Sequence, residues 1–444
     1  MTIDSSTRLY RTLIAGLEKR IPLADGRMVP AINLDNAATT PPFISVLQAI
    51  NEFAPWYSSI HRGAGYKSKY STHTYEIARE IVASFVGADL NHDVVVFVKN
   101  TTEAINKLSY RLKDEIGKKG IVLTTYMEHH SNDLPWRSRY KVDYVNINEK
   151  GRLCLNDLKT KLQKYNGAVK LVAVTGASNV TGYVNPIYEI AEIAHHYGAK
   201  IAVDGAQLVP HMPIDMKPVN SSCHIDFLAF SAHKMYAPFG IGVLIGPRAV
   251  FEKGQPESPG GGTVDIVTPD YVQWSQPPKK EESGTPNVMG VVALAAAIKT
   301  IQSIGMEKIE QHEINLARYT IKQLAKIPSV QIYSDIESFT QRVAIIPFNI
   351  DGLHHALVAQ ALSLEYGIAV RSGCFCAQPY IQKLLGISPE EVKKRISSGE
   401  NLRPGVVRIS FGLYNQKEEV DILISAIKKI AANKGKYKNK YRFI

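Results

Sequence analysis

Lys234 stands inside FSAHKMYAPFGIGVL (230–244), enclosed by aromatic and glycine residues. Apolar surroundings depress a lysine's pKa and leave a nucleophilic amine suited to Schiff-base chemistry. A lysine that merely snorkels from a strand end is the plainer alternative. Thirty residues earlier, VDGAQ puts Asp204 after an apolar run. An unpaired charge is costly there, although a carboxylate in that place also serves as an ordinary cap. An amine to capture an aldehyde, with a carboxylate to keep a ring nitrogen protonated, is the pair that pyridoxal phosphate (PLP) requires. Its phosphate needs donors. Thr101 and Thr102 open a predicted helix directly after an apolar run, where backbone amides and hydroxyls meet the positive helix end. Ser231 and His233 flank Lys234 closely enough to help. Alone, the two threonines would read as a helix cap. The surrounding residues give them weight.

The elements that must position these groups are short and β-branched. VVVFV (94–98), IVLTTY (121–126), VDYVNI (142–147), LVAVTGAS (171–178), IAVDGAQ (201–207) and DFLAFSA (226–232) are nearly continuous apolar runs. Such runs suit strands covered on both faces. The segment 185–199, NPIYEIAEIAHHYGA, reads as a crossover helix ending at Gly198. Alternating β and α of this kind predicts a mainly parallel sheet flanked by helices. Ligands in such sheets bind beyond the carboxyl ends of the strands. The polar residues that follow the runs are Thr101 and Thr102, then Glu128, His129 and His130, then Ser178 and Asn179, then Asp204 and Gln207, then Ser231, His233 and Lys234. Five successive strand ends therefore offer polar groups to one ligand. From about Met289 a long helical pattern leads into VAIIPFNI (343–350) and VVRISFG (406–412), which predicts a smaller α+β body.

Composition narrows the function classes. Of 444 residues, 45% are hydrophobic and 21% charged, so a large core is available and bulk disorder is excluded. No apolar run reaches the roughly 18 residues needed to span a bilayer. The N-terminal stretch has no apolar signal core, which argues against secretion. The four cysteines, Cys154, Cys223, Cys374 and Cys376, form neither a disulfide framework nor paired zinc spacings. No metal site and a reducing cytoplasm are the expectations. The net charge of +11 is local: residues 422–444 carry seven basic residues and no acid, leaving +4 elsewhere. The tail KGKYKNKYRFI could touch an acidic partner or RNA. A solvated, partly frayed terminus is the preferred reading, and neither nucleic acid nor membrane is expected as a partner.

The chain resembles the class V aminotransferases of PLP fold type I, and within them the group II cysteine desulfurases and selenocysteine lyases. The resemblance runs from about Asn33 to about Ala426. It rests on LDNAATTPP (34–42), NTTEAIN (100–106), MEHHSNDLPW (127–136), ASNVTGY (177–183), VDGAQLVPH (203–211), FSAHKMYAPFGIGVL (230–244), GGGTV (260–264), SGTPN (283–287), RSGCFCAQPY (371–380) and RISFGLYN (408–415). It implies an aspartate aminotransferase-like α/β fold with a seven-stranded, mainly parallel sheet. By that resemblance Lys234 bonds the cofactor, Asp204 pairs with the pyridine nitrogen, Gln207 contacts the ring hydroxyl and His129 stacks on the ring. Thr101, Thr102, Ser231 and His233 hold the phosphate, with Thr285 from the other subunit of a homodimer. Asn179 lies beside cofactor and substrate, Arg408 binds the substrate carboxylate, and Arg371 shares the loop of the reactive cysteine, Cys376. Two departures bear on the substrate and the sulfur acceptor. Cys374 and Phe375 stand where the group commonly has two histidines, and Gly65 replaces a histidine near the active site.

The implied activity is conversion of L-cysteine to L-alanine with a persulfide on Cys376, which passes sulfur to an acceptor protein or reductant. The alternative is another class V reaction, a C–S lyase, epimerase or aminotransferase, in which Cys376 is dispensable. The expected organisation is an N-terminal helical segment (1–30) packing on the small domain, a PLP-binding domain (31–295), a small α+β domain (296–433) and a basic tail (434–444). An extended loop at 374–376 would turn both thiols to the pocket, since side chains at i and i+2 share a face. Cys374 as a small filler is the preferred reading.

Overall fold

In the computed structural model, which describes residues 4–398 and 404–441, the six apolar runs and a further strand, Gly242–Pro247, form one seven-stranded sheet. Its strands are β1 (Asp93–Val98), β2 (Ile121–Thr125), β3 (Lys141–Val145), β4 (Val169–Thr175), β5 (Lys200–Asp204), β6 (Phe227–Ser231) and β7 (Gly242–Pro247), in the spatial order β1-β7-β6-β5-β4-β2-β3. All are parallel except β7, which runs antiparallel to both of its neighbours.

The period of two explains why the runs are continuous. Val95 and Phe97 of β1, Val172 and Val174 of β4, Ile201 and Val203 of β5, and Leu228 and Phe230 of β6 enter one core. The intervening Val94 and Val96, Leu171 and Ala173, Ala202, and Phe227 and Ala229 enter the core on the other face. The first core is closed by the helices Tyr66–Val86, Ile187–His196 and Val288–Ile304, and the second by Thr101–Arg111. Among the described residues no single helix is long and apolar enough to cross a membrane. Val288–Ile304 owes its apolar character to burial against Ile44–Phe53 and Tyr66–Val86.

A four-stranded antiparallel sheet holds a separate core. Its strands are β8 (Val330–Ile332), β9 (Ile345–Ile350), β10 (Arg371–Gly373) and β11 (Val406–Ser410), in the order β8-β9-β11-β10. The two bodies are laced together by the N-terminal segment. Tyr10 and Ile14 enter the core of the large sheet, Arg11 donates to Glu419 at 2.9 Å, and Ile32–Asn33 pairs in parallel with Ile368–Ala369.

The tail departs from the expectation of a frayed terminus. Lys434–Lys440 is a helix, and Tyr437 and Tyr441 are buried in the smaller core. Glu365 accepts from Tyr437 at 3.1 Å, Tyr441 at 2.8 Å and Lys440 at 2.7 Å. The lysines mark the exposed face, while the two tyrosines, four residues apart, share the buried one. Arg442, Phe443 and Ile444, like Met1 to Ile3 at the other end, lie outside the described residues.

Candidate active site

The carboxyl ends of β1, β2, β4, β5 and β6 open into a cleft of about 320 Å³ that the cysteine loop closes from the smaller body. At one end, β1 turns through Asn100 into the helix Thr101–Arg111, and the Asn100 side chain accepts from the Glu103 amide. Thr101 donates its amide to Ser231 Oγ at 2.8 Å, and the two hydroxyls lie 2.7 Å apart. Thr102 and Ser131 hydroxyls are likewise 2.7 Å apart. The helix terminus thus presents a ring of hydroxyls and a positive dipole end to the cleft, an anion site by construction. Gly242 of β7 is required here: a Cβ would come within 2.7 Å of the Asn100 backbone.

Lys234 follows β6 in a single helical turn, Ala232–Lys234, and faces the cleft. Burial pulls its pKa down to about 8; Asp204 opposes that shift and Arg408 adds to it. Asp204, at the end of β5, has its pKa raised by burial and accepts the Ala206 amide at 3.0 Å. His129 is driven down to about 3 by burial and by the Lys234 charge, so its ring is neutral. It accepts the Ser131 amide on Nδ1, which leaves the proton on Nε2. His233 falls to about 4 for the same two reasons.

Gln207 gives a direct test of whether a cofactor ring fits. Its amide nitrogen donates to the Ala37 carbonyl at 2.7 Å, while its Oε1 is buried without a partner. A buried acceptor lining a cleft is costly unless a ligand hydroxyl meets it. Hydroxyls for a phosphate, a neutral stacking ring, a carboxylate for a pyridine nitrogen, an amine with a lowered pKa and a waiting acceptor together suit PLP.

The other end of the cleft centres on Arg408 of β11. Its guanidinium is 3% exposed, donates to the Asn179 carbonyl at 3.0 Å and to Asp35 at 3.0 Å, and lies 4.7 Å over the Phe375 ring. Burial lowers its pKa to about 10 against the pull of Asp35. Arg371 pairs with the other oxygen of Asp35 at 2.7 Å. Asp35 therefore clasps the two arginines that sequence reasoning selected. It sits in LDNAATTPP without any local sign of a partner, since both arginines lie more than 300 residues away.

The cysteine loop is not extended. Phe375 and Cys376 both adopt left-handed backbone, with φ of 52° and 54°. The turn is pinned by Asn179 Nδ2 donating to the Phe375 carbonyl at 2.7 Å, by the His130 amide donating to the Cys376 carbonyl at 2.6 Å, and by Ala377 to Cys374 at 2.9 Å. The shared face that extended backbone would give the two thiols is thereby lost. Cys376 is exposed and lines the cleft, whereas Cys374 packs with a small apolar cluster around Tyr380 and Val406.

The cleft unites Thr101, Thr102, His129, Asn179, Asp204, Gln207, Ser231, His233, Lys234, Arg371, Cys376 and Arg408. Thr285 stands exposed outside the cleft of its own chain. Glu128 turns away from the cleft: it accepts from Thr125, Asn132 and the Thr175 amide, and burial raises its pKa to about 8. It ties β2 to β4 beneath the turn that carries His129. Ser131, which bridges that turn to Thr102, went unselected although it lies in the same motif as His129.

Comparison with known proteins points the same way. The Aminotransferase class-V family matches residues 32–423. A probable cysteine desulfurase of Halalkalibacterium halodurans is 36% identical over 422 residues, 93% of this chain and 97% of that protein. A cysteine desulfurase of Haloferax volcanii is 36% identical over 410 residues, 91% of this chain and 90% of that protein. Among solved structures, the apo cysteine desulfurase of Thermococcus onnurineus NA1 superposes with a TM-score of 0.81 at 34% identity, covering 90% of this chain and 95% of that one. The S-sulfonic acid form of the Escherichia coli cysteine desulfurase CsdA gives 0.80 at 30% identity, covering 95% of this chain and 98% of that one.

Proposed function

This chain belongs to the class V aminotransferases, and on that footing we propose that it is a PLP-dependent cysteine desulfurase, taking L-cysteine to L-alanine and sulfur. The observation that carries the proposal is the Cys376 thiol, exposed on one wall of a cleft that also holds the buried Lys234 amine and the Arg408 guanidinium. Bound PLP supplies an electron sink for negative charge developing at the substrate Cα. Thr101, Thr102, Ser231 and His233 would hold its phosphate, Asp204 its ring nitrogen, Gln207 its hydroxyl and His129 its face. Thr285 would serve the partner subunit of a homodimer.

Arg408 and Arg371 orient the substrate carboxylate, and the neutral amine of Lys234 is suited to take the Cα proton. The Cys376 thiolate then attacks the substrate sulfur. An S–S bond forms, the C–S bond breaks with its electron pair left on Cβ, a proton adds at Cβ, and Lys234 returns the proton it took to Cα, which completes alanine. The terminal sulfur of the Cys376 persulfide passes to an acceptor thiol in a reducing, cytoplasmic setting. On this reading residues 31–295 hold the cofactor and residues 296–433 carry the thiol and Arg408 to it.

The test is incubation of PLP-loaded protein with L-cysteine, quantifying alanine, pyruvate and sulfide, with mass spectrometry of the 371–383 segment. Alanine in step with one added sulfur on Cys376, both lost in Cys376→Ala and both kept in Cys374→Ala, is the expected result. Full turnover in Cys376→Ala, or pyruvate in place of alanine, would overturn it in favour of a direct C–S lyase.

A further inference from the structure

At the end of the large sheet remote from the cleft, three side chains form a cluster that the proposed reaction does not use. His92 and Asp93 lead into β1, and His224 lies in the loop before β6. Each offers one ligand atom, and these atoms all lie within 4.8 Å of one another. Asp93 opens β1 and Thr101 follows its far end, so at about 3.3 Å per residue the cluster lies roughly 17 Å or more from the cleft.

The hydrogen bonding leaves the atoms that matter open. Asp93 is fully buried and its Oδ1 meets His92 Nδ1 at 2.9 Å, but its Oδ2 has no partner. His224 is 4% exposed. Its Nδ1 lies 2.8 Å from the Lys217 carbonyl and donates to it; in the neutral ring Nε2 then carries the lone pair, and that atom too is buried without a partner. A histidine whose Nδ1–H is held by a carbonyl while Nε2 stays open has the tautomer and orientation of a metal ligand. With the ring neutral, two orphaned buried acceptors cannot satisfy each other. Only a shared cation or donor relieves both.

The neighbouring groups are already engaged. In the same cavity His195 spends both nitrogens, on the Ser222 carbonyl and on Asp226 at 2.8 Å each, and Lys200 also pairs with Asp226. Glu115 pairs with Lys253. The His92 side chain is 37% exposed, so the third donor reaches solvent and leaves an entry path and room for a water ligand.

We propose that His92, Asp93 and His224 form a binding site for a zinc-class divalent cation that clips the start of β1 to the loop before β6. Two imidazoles and one carboxylate form the donor set such ions take, with ligand bonds of about 2.0–2.2 Å. No spacing signal marks it, because His224 lies 131 residues from Asp93.

The test uses full-length, PLP-loaded protein carrying Cys154→Ser, Cys223→Ser, Cys374→Ser and Cys376→Ser, so that no thiol can hold the metal. After chelator treatment the protein is equilibrated with Zn2+ and the bound metal counted. One equivalent per chain is expected. It should be lost in His224→Ala and weakened by about tenfold or more in His92→Ala. His92 is partly exposed, so that variant is readable even where His224→Ala disturbs folding. The same two histidine changes in the wild-type cysteine background should leave cysteine turnover unchanged. No bound zinc in the starting protein, or one equivalent held undiminished in His92→Ala, would overturn the proposal.

Discussion

Arg408→Lys tests the substrate end of the cleft most sharply. The substitution keeps the positive charge and removes the planar fork, so a carboxylate that two guanidinium N–H groups could hold keeps one. A hydrogen bond to a charged group contributes about 1.5–3 kcal/mol. At 1.4 kcal/mol per factor of ten, its loss predicts roughly a 10- to 100-fold fall in kcat/KM for L-cysteine, carried mainly by KM. Folding should largely survive, because Asp35 retains Arg371 at 2.7 Å when its contact with Arg408 weakens. The assay is initial-rate alanine formation over a range of cysteine concentrations, with a thermal scan of the same preparation. A KM within about twofold of wild type, with kcat unchanged, would refute the carboxylate role and leave Arg408 as the structural partner of Asp35.

Two further outcomes follow from burial. Tyr437→Ala should destabilise the protein by about 3–5 kcal/mol, as other large-to-small aromatic replacements do, and Tyr437→Phe by only about 1 kcal/mol for its bonds to Glu365 and Tyr366. Denaturant melts decide this, and equal midpoints for wild type and Tyr437→Ala would return the tail to solvent. Lys234 has its pKa lowered to about 8, so its amine is protonated and inert below that pH and free above it. Covalent capture of added PLP by stripped protein should therefore speed up through pH 8 and level off beyond it. A rate still climbing with pH above about 9.5 would describe an ordinary exposed lysine.

The large sheet was legible because every strand except the edge strand β3 is buried on both faces, which writes itself as a continuous apolar run. Neither β7 nor its direction was, since its first residues end the lysine motif FSAHKMYAPFGIGVL and its composition is the same whichever way it lies. Within the cleft, residues that follow strands could be selected because strand ends are where such sheets bind ligands. Asp35 escaped, its meaning residing in Arg371 and Arg408 far along the chain. Glu128 follows a strand and yet lies elsewhere, because a glutamate three residues past a strand can equally fold back under it. In the tail, charge composition outweighed the spacing of Tyr437 and Tyr441, and that spacing carried the packing information. The His92, Asp93 and His224 cluster is assembled only by the pairing of strands.

The left-handed turn at Phe375 and Cys376 has a consequence for rate as well as shape. Each non-glycine residue in that region costs about 1–2 kcal/mol, and the Asn179 and His130 contacts hold the pair there. A thiol on a freely moving loop would sweep a large volume and meet the substrate sulfur seldom. In the proposed reaction, a thiol held by a turn that its neighbours over-determine meets that sulfur at a high effective molarity, and well-oriented groups of this kind reach about 10⁵ M and above. The entropy of encounter is thus met when the chain folds instead of once in every turnover.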